Sequence, residues 1–173
     1  MKKILFLALG LILSGLQSCS DKNEDTIWDY APYILSMDVV DSEGRNLLDP
    51  DVEGNIIGER IEMFYDDECY PVRLAEIPEM QSRYYLPRFF GLVRSKKWDY
   101  EVHEYTVWQL FWGEFDCAYS RSYSFSLQFP ERNGLTYEFD LKISNKGGDN
   151  VTRELKVNGK KMEEPSGFTI VLQ

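Results

Sequence analysis

The strongest constraint on the fold is a strict alternation of side-chain types along residues 119–129. Large, mostly aromatic residues occupy every second position of this run, and serine or glutamine fills the positions between them. A period of two places alternate side chains on the two faces of a strand, whereas a helix would distribute them around its circumference. Residues 135–143 alternate in the same way, after a turn that contains Asn133 and Gly134. The two runs therefore predict a long antiparallel hairpin.

Shorter strand patterns occur along the rest of the chain, separated by turn residues such as glycine, asparagine and aspartate. They cover residues 34–40, 61–65, 70–74, 89–94, 104–112, 151–157 and 168–172. No run has the length and period of an amphipathic helix. About eight short strands with frequent turns predict an all-β domain over residues 28–173, an antiparallel two-sheet sandwich that is immunoglobulin-like. A small closed β-barrel is the alternative, and the sequence does not specify the strand order.

The amino-terminal residues combine a short basic start, an apolar run and an end of mainly small and polar residues. Lys2 and Lys3 precede an almost unbroken apolar run over residues 4–13, and residues 14–18 follow it. This order is typical of secretory signal peptides. The apolar run is too short for a comfortable membrane span, which needs about 20 residues. We therefore predict that residues 1–18 are a signal peptide.

The end of this segment, Leu16-Gln17-Ser18-Cys19, resembles the lipobox of bacterial lipoproteins, with glutamine where a smaller residue is commonest. The resemblance implies that Cys19 receives fatty acyl chains such as palmitate and becomes the first residue of the mature protein. Several acyl chains anchor a protein stably, so the membrane is an expected partner through this lipid. The alternative is an ordinary secretory signal that ends in a chance cysteine.

Residues 19–27 are polar and acidic, which predicts a solvated tether between the anchor and the folded domain. The stretch also resembles the acidic surface-export tag of Bacteroidota lipoproteins, which implies a surface-exposed position on the outer membrane; a periplasm-facing position is the alternative. Residues 28–32 and 39–50, above all the Leu-Leu-Asp-Pro run at 47–50, resemble the opening of small uncharacterised lipoproteins of gut Bacteroidota. That resemblance implies a β-sandwich in the cell envelope and no particular activity.

Charge and the scarcity of catalytic residue types argue against several classes of function. The net charge is −10, and cleavage of the signal removes Lys2 and Lys3 and leaves −12. So acidic a domain repels the phosphates of nucleic acids. His103 is the only histidine, too few for a typical zinc site, and no Gly-x-Ser-x-Gly or Cys-x-x-Cys motif occurs. We therefore expect no nucleic-acid partner, no cofactor and no catalytic activity, and a solvated or edge-strand position for His103.

Cys69 and Cys117 remain as an even pair once Cys19 is assigned to lipid. Compartments outside the cytoplasm are oxidising, so a disulfide between the two is one prediction. Such a bridge would contribute about 4 kcal/mol, because it closes a long loop in the unfolded chain. The other prediction is two separate buried thiols.

An acidic segment resembles the first half of a calcium-binding loop, with Asp49, Asp51 and Glu53 at its first, third and fifth positions and Gly54 at its sixth. The twelfth position of such a loop is a bidentate glutamate, and here it is Arg60. We therefore interpret the segment as an acidic surface turn. The three acids are the ligands to test if Ca²⁺ binds.

Aromatic residues are concentrated between residues 98 and 115. Alternation along a strand would bury about half of them in the core of a sandwich. Trp98 and Tyr100 lie in a polar stretch, beside Lys97 and Glu101, so these two are expected to be exposed. An exposed flat ring can stack on a sugar or on a partner protein. Trp98 and Tyr100 are therefore the candidate ligand-binding aromatics.

Together these features favour a lipid-anchored, non-catalytic binding or accessory module of the cell envelope, whose partner would be a glycan or an envelope protein. An enzyme of unfamiliar type that uses carboxylates is a second hypothesis, and it would require a deep pocket with perturbed acids. A purely structural envelope protein is a third.

Overall fold

The computed structural model describes residues 30–75, 89–99, 102–147, 150–165 and 167–173. These residues form strands and loops and contain no helix. The described part of the chain therefore has no helix with the length and apolar character needed to cross a membrane. The strands they contain are, in chain order, β1 (Tyr33–Val40), β2 (Glu62–Tyr65), β3 (Glu68–Pro71), β4 (Arg73–Leu74), β5 (Leu92–Asp99), β6 (Glu104–Phe115), β7 (Arg121–Phe129), β8 (Leu135–Asn145), β9 (Val151–Val157), β10 (Lys160–Lys161) and β11 (Gly167–Val171).

The strands form two open sheets. The first sheet has the order β11-β1-β6-β5-β4, and the second sheet has the order β10-β9-β8-β7-β2-β3. Buried side chains from both sheets make one core cluster, so the predicted two-sheet sandwich is confirmed. The described strands do not close into the alternative barrel. Immunoglobulin domains share this architecture but have a different strand order.

The hairpin predicted from the alternation lies at the centre of the second sheet. β7 and β8 pair in antiparallel register along the whole of β7. In the turn, Asn133 and Gly134 have φ values of 54° and 67°, which these residue types tolerate well. β7 begins at Arg121, two residues later than predicted. The reason is that the Oγ of Ser120 accepts a hydrogen bond from the backbone N–H of Asn145 and donates one to its carbonyl, so a side chain replaces strand pairing there.

Two pairings in the first sheet are parallel, whereas the sequence predicted an antiparallel arrangement throughout. β1 pairs in parallel with β11, with Met37 opposite Phe168, and β4 pairs in parallel with β5, with Arg73 opposite Val93. A parallel pair requires a connection of about a dozen residues or more. In the sequence, all strands of the second sheet lie between β1 and β11, and residues 75–91 lie between β4 and β5. Alternation identifies a strand but not the direction of its neighbour, which explains the difference.

The core lies between the sheets and is built from alternate residues of the strands. Along β1 buried and half-buried residues alternate, so Leu35, Met37 and Val39 face inward. Trp112 of β6 is fully buried, and its ring centroid lies 5.7 Å from that of Phe125 in the second sheet. Aromatic contacts of this kind join the two sheets where the candidate site lies.

Candidate functional site

The β2–β3 hairpin places two tyrosines at the edge of the second sheet, on its inner face. Its two-residue turn consists of Asp66 and Asp67, whose φ values of 54° and 61° are of the kind that match the twist of an antiparallel hairpin. Met63 is fully buried, two residues before Tyr65 and directly opposite Tyr70. Because side chains on one face of a sheet recur every second residue, Tyr65 and Tyr70 share the inward face with Met63.

Phe89 approaches these tyrosines from the first sheet, just before β5 begins. Its ring centroid lies 5.5 Å from that of Tyr65 and 5.5 Å from that of Tyr70. Gly91 makes this approach possible, since it has a φ of 78° and a Cβ at this position would lie 3.1 Å from the Cδ1 atom of Tyr70. Glycine at position 91 therefore allows both the positive φ and the close approach of the Tyr70 ring.

Tyr123 of β7 supplies a fourth ring. It lies two residues before the buried Phe125 and so on the same inward face. The centroid of its ring is 6.4 Å from that of Tyr65 and 4.6 Å from that of Phe115. The tyrosine cluster is defined here as Tyr65, Tyr70, Phe89 and Tyr123.

The indole of Trp112 forms the floor of the tyrosine cluster. Its ring centroid lies 4.7 Å from that of Phe89 and 5.2 Å from that of Tyr70, with the rings steeply inclined to each other. Within the described part of the chain, the buried Nε1 of this indole has no hydrogen-bond partner. An unsatisfied buried donor costs about 1–3 kcal/mol, and a contact with the face of a neighbouring ring is a weaker substitute. The tyrosine cluster thus packs against an indole whose N–H has no hydrogen-bond partner among the described residues.

The outer side of the tyrosine cluster reaches solvent and is bordered by polar groups. Phe89 is 38% exposed, and the three tyrosines are half-buried. The hydroxyl of Tyr70 donates to the Glu68 carboxylate at 2.7 Å. Nearby, the guanidinium of Arg121 lies 5.8 Å from the ring centroid of the exposed Tyr119. The site therefore combines apolar ring surface with hydroxyl, carboxylate and guanidinium groups at its border.

The three phenols of the cluster are held in their neutral form. The hydrogen bond to the Glu68 carboxylate, followed by burial, raises the pKa of Tyr70 to about 12. Burial also raises the pKa of Tyr65 and of Tyr123, and the positive charge of Arg121 opposes this rise at both. Each hydroxyl therefore stays protonated at neutral pH and can both donate and accept a hydrogen bond.

The candidate aromatics chosen from the sequence are not part of this cluster. Trp98 lies in β5 opposite Tyr105, at the far end of the strand from Phe89, and Tyr100 lies outside the described residues. The rings that do come together were not singled out in the sequence. The nearest signal for them was the pair of predicted strands over residues 61–65 and 70–74, because Tyr65 ends the first and Tyr70 begins the second.

The structure holds Cys69 and Cys117 as free thiols, so it does not contain the predicted disulfide. Cys69 is exposed on β3, next to the inward-facing Tyr70, and therefore points to the outer face of the second sheet. Cys117 is buried after β6, with its Sγ 3.7 Å from the carbonyl oxygen of Phe115 and 3.6 Å from a guanidinium nitrogen of Arg153. One thiol outside the sheet and one inside the core cannot bridge without rearrangement of the backbone.

The acidic segment forms a surface turn and does not gather metal ligands. The Oδ1 atom of Asp49 accepts a hydrogen bond from the backbone N–H of Asp51, and Glu53 is exposed. In the ranges that the structure describes, no group of three or more His, Cys, Asp or Glu side chains could hold a metal ion. His103 is exposed in the turn between β5 and β6, with a φ of 53°, which confirms the solvated position expected for it.

The predicted signal peptide, the lipid-bearing Cys19 and the tether over residues 19–27 lie outside the described residues. No protein-family model, curated protein or solved structure matches the chain.

Proposed function

We propose that the mature chain is a lipid-anchored, non-catalytic binding module of the bacterial cell envelope, and that its tyrosine cluster binds a sugar ring of a neutral glycan. The observation that carries the proposal is the cluster itself. Three of its rings contact Trp112, and the fourth, Tyr123, contacts Tyr65. Phe89 is exposed and the three tyrosines are half-buried, so all four rings reach solvent. Grouped apolar surface that stays exposed is typical of ligand-binding and partner-binding sites, so the partial exposure of these rings favours a ligand.

Sugar chemistry suits this arrangement. A pyranose ring has an apolar C–H face and a border of hydroxyl groups, so flat aromatic rings can contact the face while polar groups meet the hydroxyls. Here the phenol of Tyr70 and the carboxylate of Glu68 are already hydrogen-bonded to each other at the border, and both retain further hydrogen-bonding capacity. The acidic character of the whole chain disfavours anionic glycans, and a neutral glycan is the better match.

The anchoring part of the proposal rests on the lipobox-like motif that ends at Cys19. An extended chain spans at most about 3.3–3.6 Å per residue, so residues 19–29 would hold the domain within about 40 Å of the membrane. We propose surface exposure on the outer membrane, because the acidic tether resembles a surface-export tag. A glycan-binding site held close to the cell surface would retain polymers there.

The test is a titration of the mature protein with cellohexaose, mannohexaose and xylohexaose. Binding is monitored by tryptophan fluorescence, because Trp112 contacts the rings of the cluster. We expect saturable binding of at least one sugar. Replacing Tyr65 by alanine removes one ring of the cluster and should weaken binding about tenfold or more. The matched control is Tyr137→Ala, which removes a half-buried tyrosine that packs on Phe129 and Phe168 instead. Absence of binding to every sugar, or equal losses in the two variants, would contradict the proposal.

A further inference from the structure

A small cavity lies at the β4 edge of the first sheet, where the loop between β1 and β2 covers the end of the core. Its volume is about 140 Å³, similar to the roughly 150 Å³ of an engineered cavity in another protein that binds benzene. Most of its wall is aliphatic and includes Leu48, Ile56, Ile61 and Val72. The cavity therefore has room for an apolar group of about six carbon atoms.

Arg94 is one of the residues that line this cavity. It lies two residues after Leu92 and opposite Leu110, both of which are fully buried, so it occupies an inward-facing position of β5. Its guanidinium carbon lies 5.1 Å from the ring centroid of Trp108. Burial lowers the pKa of Arg94, which is the effect expected for a cation that has lost hydration without gaining an anion.

No anion compensates this charge in the parts of the chain that the structure describes. None of the ion pairs there includes Arg73, Arg94 or Lys96. Arg73 also lines the cavity, and its guanidinium donates to the carbonyl oxygen of Phe90. The Nζ of Lys96 lies 5.3 Å from the same Trp108 ring that Arg94 covers. Three cations that form no ion pair with another described residue thus lie on the neighbouring strands β4 and β5 of a strongly acidic protein.

We propose that this cavity binds a small aliphatic carboxylate, with the hydrocarbon chain against the aliphatic wall and the carboxylate on the guanidinium of Arg94. The planar donor fork of arginine matches the two oxygens of a carboxylate, and Arg73 adds a second cation at the cavity. An inorganic anion would leave the aliphatic wall uncovered, and a hydrocarbon would leave Arg94 without a counter-charge. A chain of about six carbons satisfies both. This inference does not depend on the tyrosine cluster.

The test uses hexanoate as the probe and the mature chain, residues 19–173 with Cys19→Ser, as the protein. Methyl NMR of Ile56, Ile57 and Ile61 reports on the cavity directly, because all three line it. We expect their resonances to shift with a Kd on the order of 1 mM, as suits so small a ligand. Acetate lacks the chain and 1-hexanol lacks the charge, and each should bind at least about tenfold more weakly.

The variants separate charge from cavity. Arg94→Met keeps the length of the side chain and should weaken hexanoate binding at least about tenfold while leaving 1-hexanol binding unchanged. The matched control, Lys97→Met, removes an exposed charge three residues along the same strand and should leave both unchanged. Equal affinity of the wild-type protein for hexanoate and 1-hexanol would overturn the proposal whether or not the variants fold. So would the absence of methyl shifts, or unaltered hexanoate binding in a folded Arg94→Met protein. None of these outcomes bears on glycan binding.

Discussion

Replacing Gly91 by alanine should destabilise the protein through two separable effects. The first is backbone strain, because the φ of 78° at this position costs an alanine about 1–2 kcal/mol. The second is crowding, because the new Cβ would lie 3.1 Å from the Cδ1 atom of Tyr70. Turning the tyrosine ring away from its preferred rotamer costs about 0.5–1.5 kcal/mol. The expected loss in the free energy of unfolding is therefore about 1.5–3.5 kcal/mol.

Gly44 provides the matched control. Its φ of 82° is nearly the same, but no heavy atom lies within 4 Å of the position of an added Cβ. Gly44→Ala should therefore lose only the strain contribution of about 1–2 kcal/mol. The two variants should differ by about 1 kcal/mol, which corresponds to about 2–4 °C in Tm for a chain of this size.

Urea unfolding followed by fluorescence and by circular dichroism gives both free energies of unfolding, provided that the m value is unchanged. The decisive comparison repeats Gly91→Ala in a Tyr70→Ala background, where the crowded ring is absent. There the loss should fall to that of Gly44→Ala. If the additional loss persists without the ring, or if Gly91→Ala and Gly44→Ala are equally destabilising in the wild-type background, the assigned contact between Gly91 and Tyr70 is refuted.

Three further predictions concern the hydroxyl of Tyr70, the two free thiols and the proposed lipid-bearing Cys19. The pKa of Tyr70 is raised from 10 to about 12, so its contribution to stability is present below pH 10 and lost as the pH rises through 12; Tyr70→Phe should remove an ionisation near pH 12 from an absorbance titration at 295 nm, and an unchanged titration would contradict this. Iodoacetamide should modify the exposed Cys69 in the folded protein and reach the buried Cys117 only after unfolding; modification of both at equal rates would contradict their placement. Protease added to intact cells should cleave the wild-type protein, and Cys19→Ala should abolish its membrane attachment; protection until the outer membrane is opened would instead favour a periplasm-facing position.

The strands were predictable where one face of a strand is buried and the other is not. Residues 121–129 are such a case, since Phe125, Leu127 and Phe129 are buried and the residues between them are half-buried or exposed. Partners were predictable only across a short turn, as in the hairpin over 121–145. The parallel neighbours of β1 and β5 depend on which strand edges are still unpaired after the other strands have formed the sheet. The alternation of residues within a single strand does not contain that information.

The candidate site was harder to predict because its rings come from three segments that are distant in the sequence. The polarity of the adjacent residues predicts exposure of Trp98 and Tyr100. In the fold, exposure of the cluster depends on position in the sandwich instead. Tyr123 and Tyr65 share the inward face of buried residues, but they lie toward an end of the second sheet where that face is only partly covered. The alternation of residues identifies the face of the sheet on which a side chain lies, but not how far that side chain is from the end of the sheet.

The parallel pairing of β1 with β11 also has a mechanical consequence. β1 is the first of the described strands, and in the first sheet it lies between β11 and β6 rather than at an edge. Its hydrogen bonds run to β11 along residues 36–40 and to β6 along residues 33–37. A pull that enters the domain through its amino terminus and acts along β1 would therefore load both ladders in shear, so that many hydrogen bonds must break together. A tether of the kind proposed above would therefore pull on a strand that is hydrogen-bonded to a neighbour on each side.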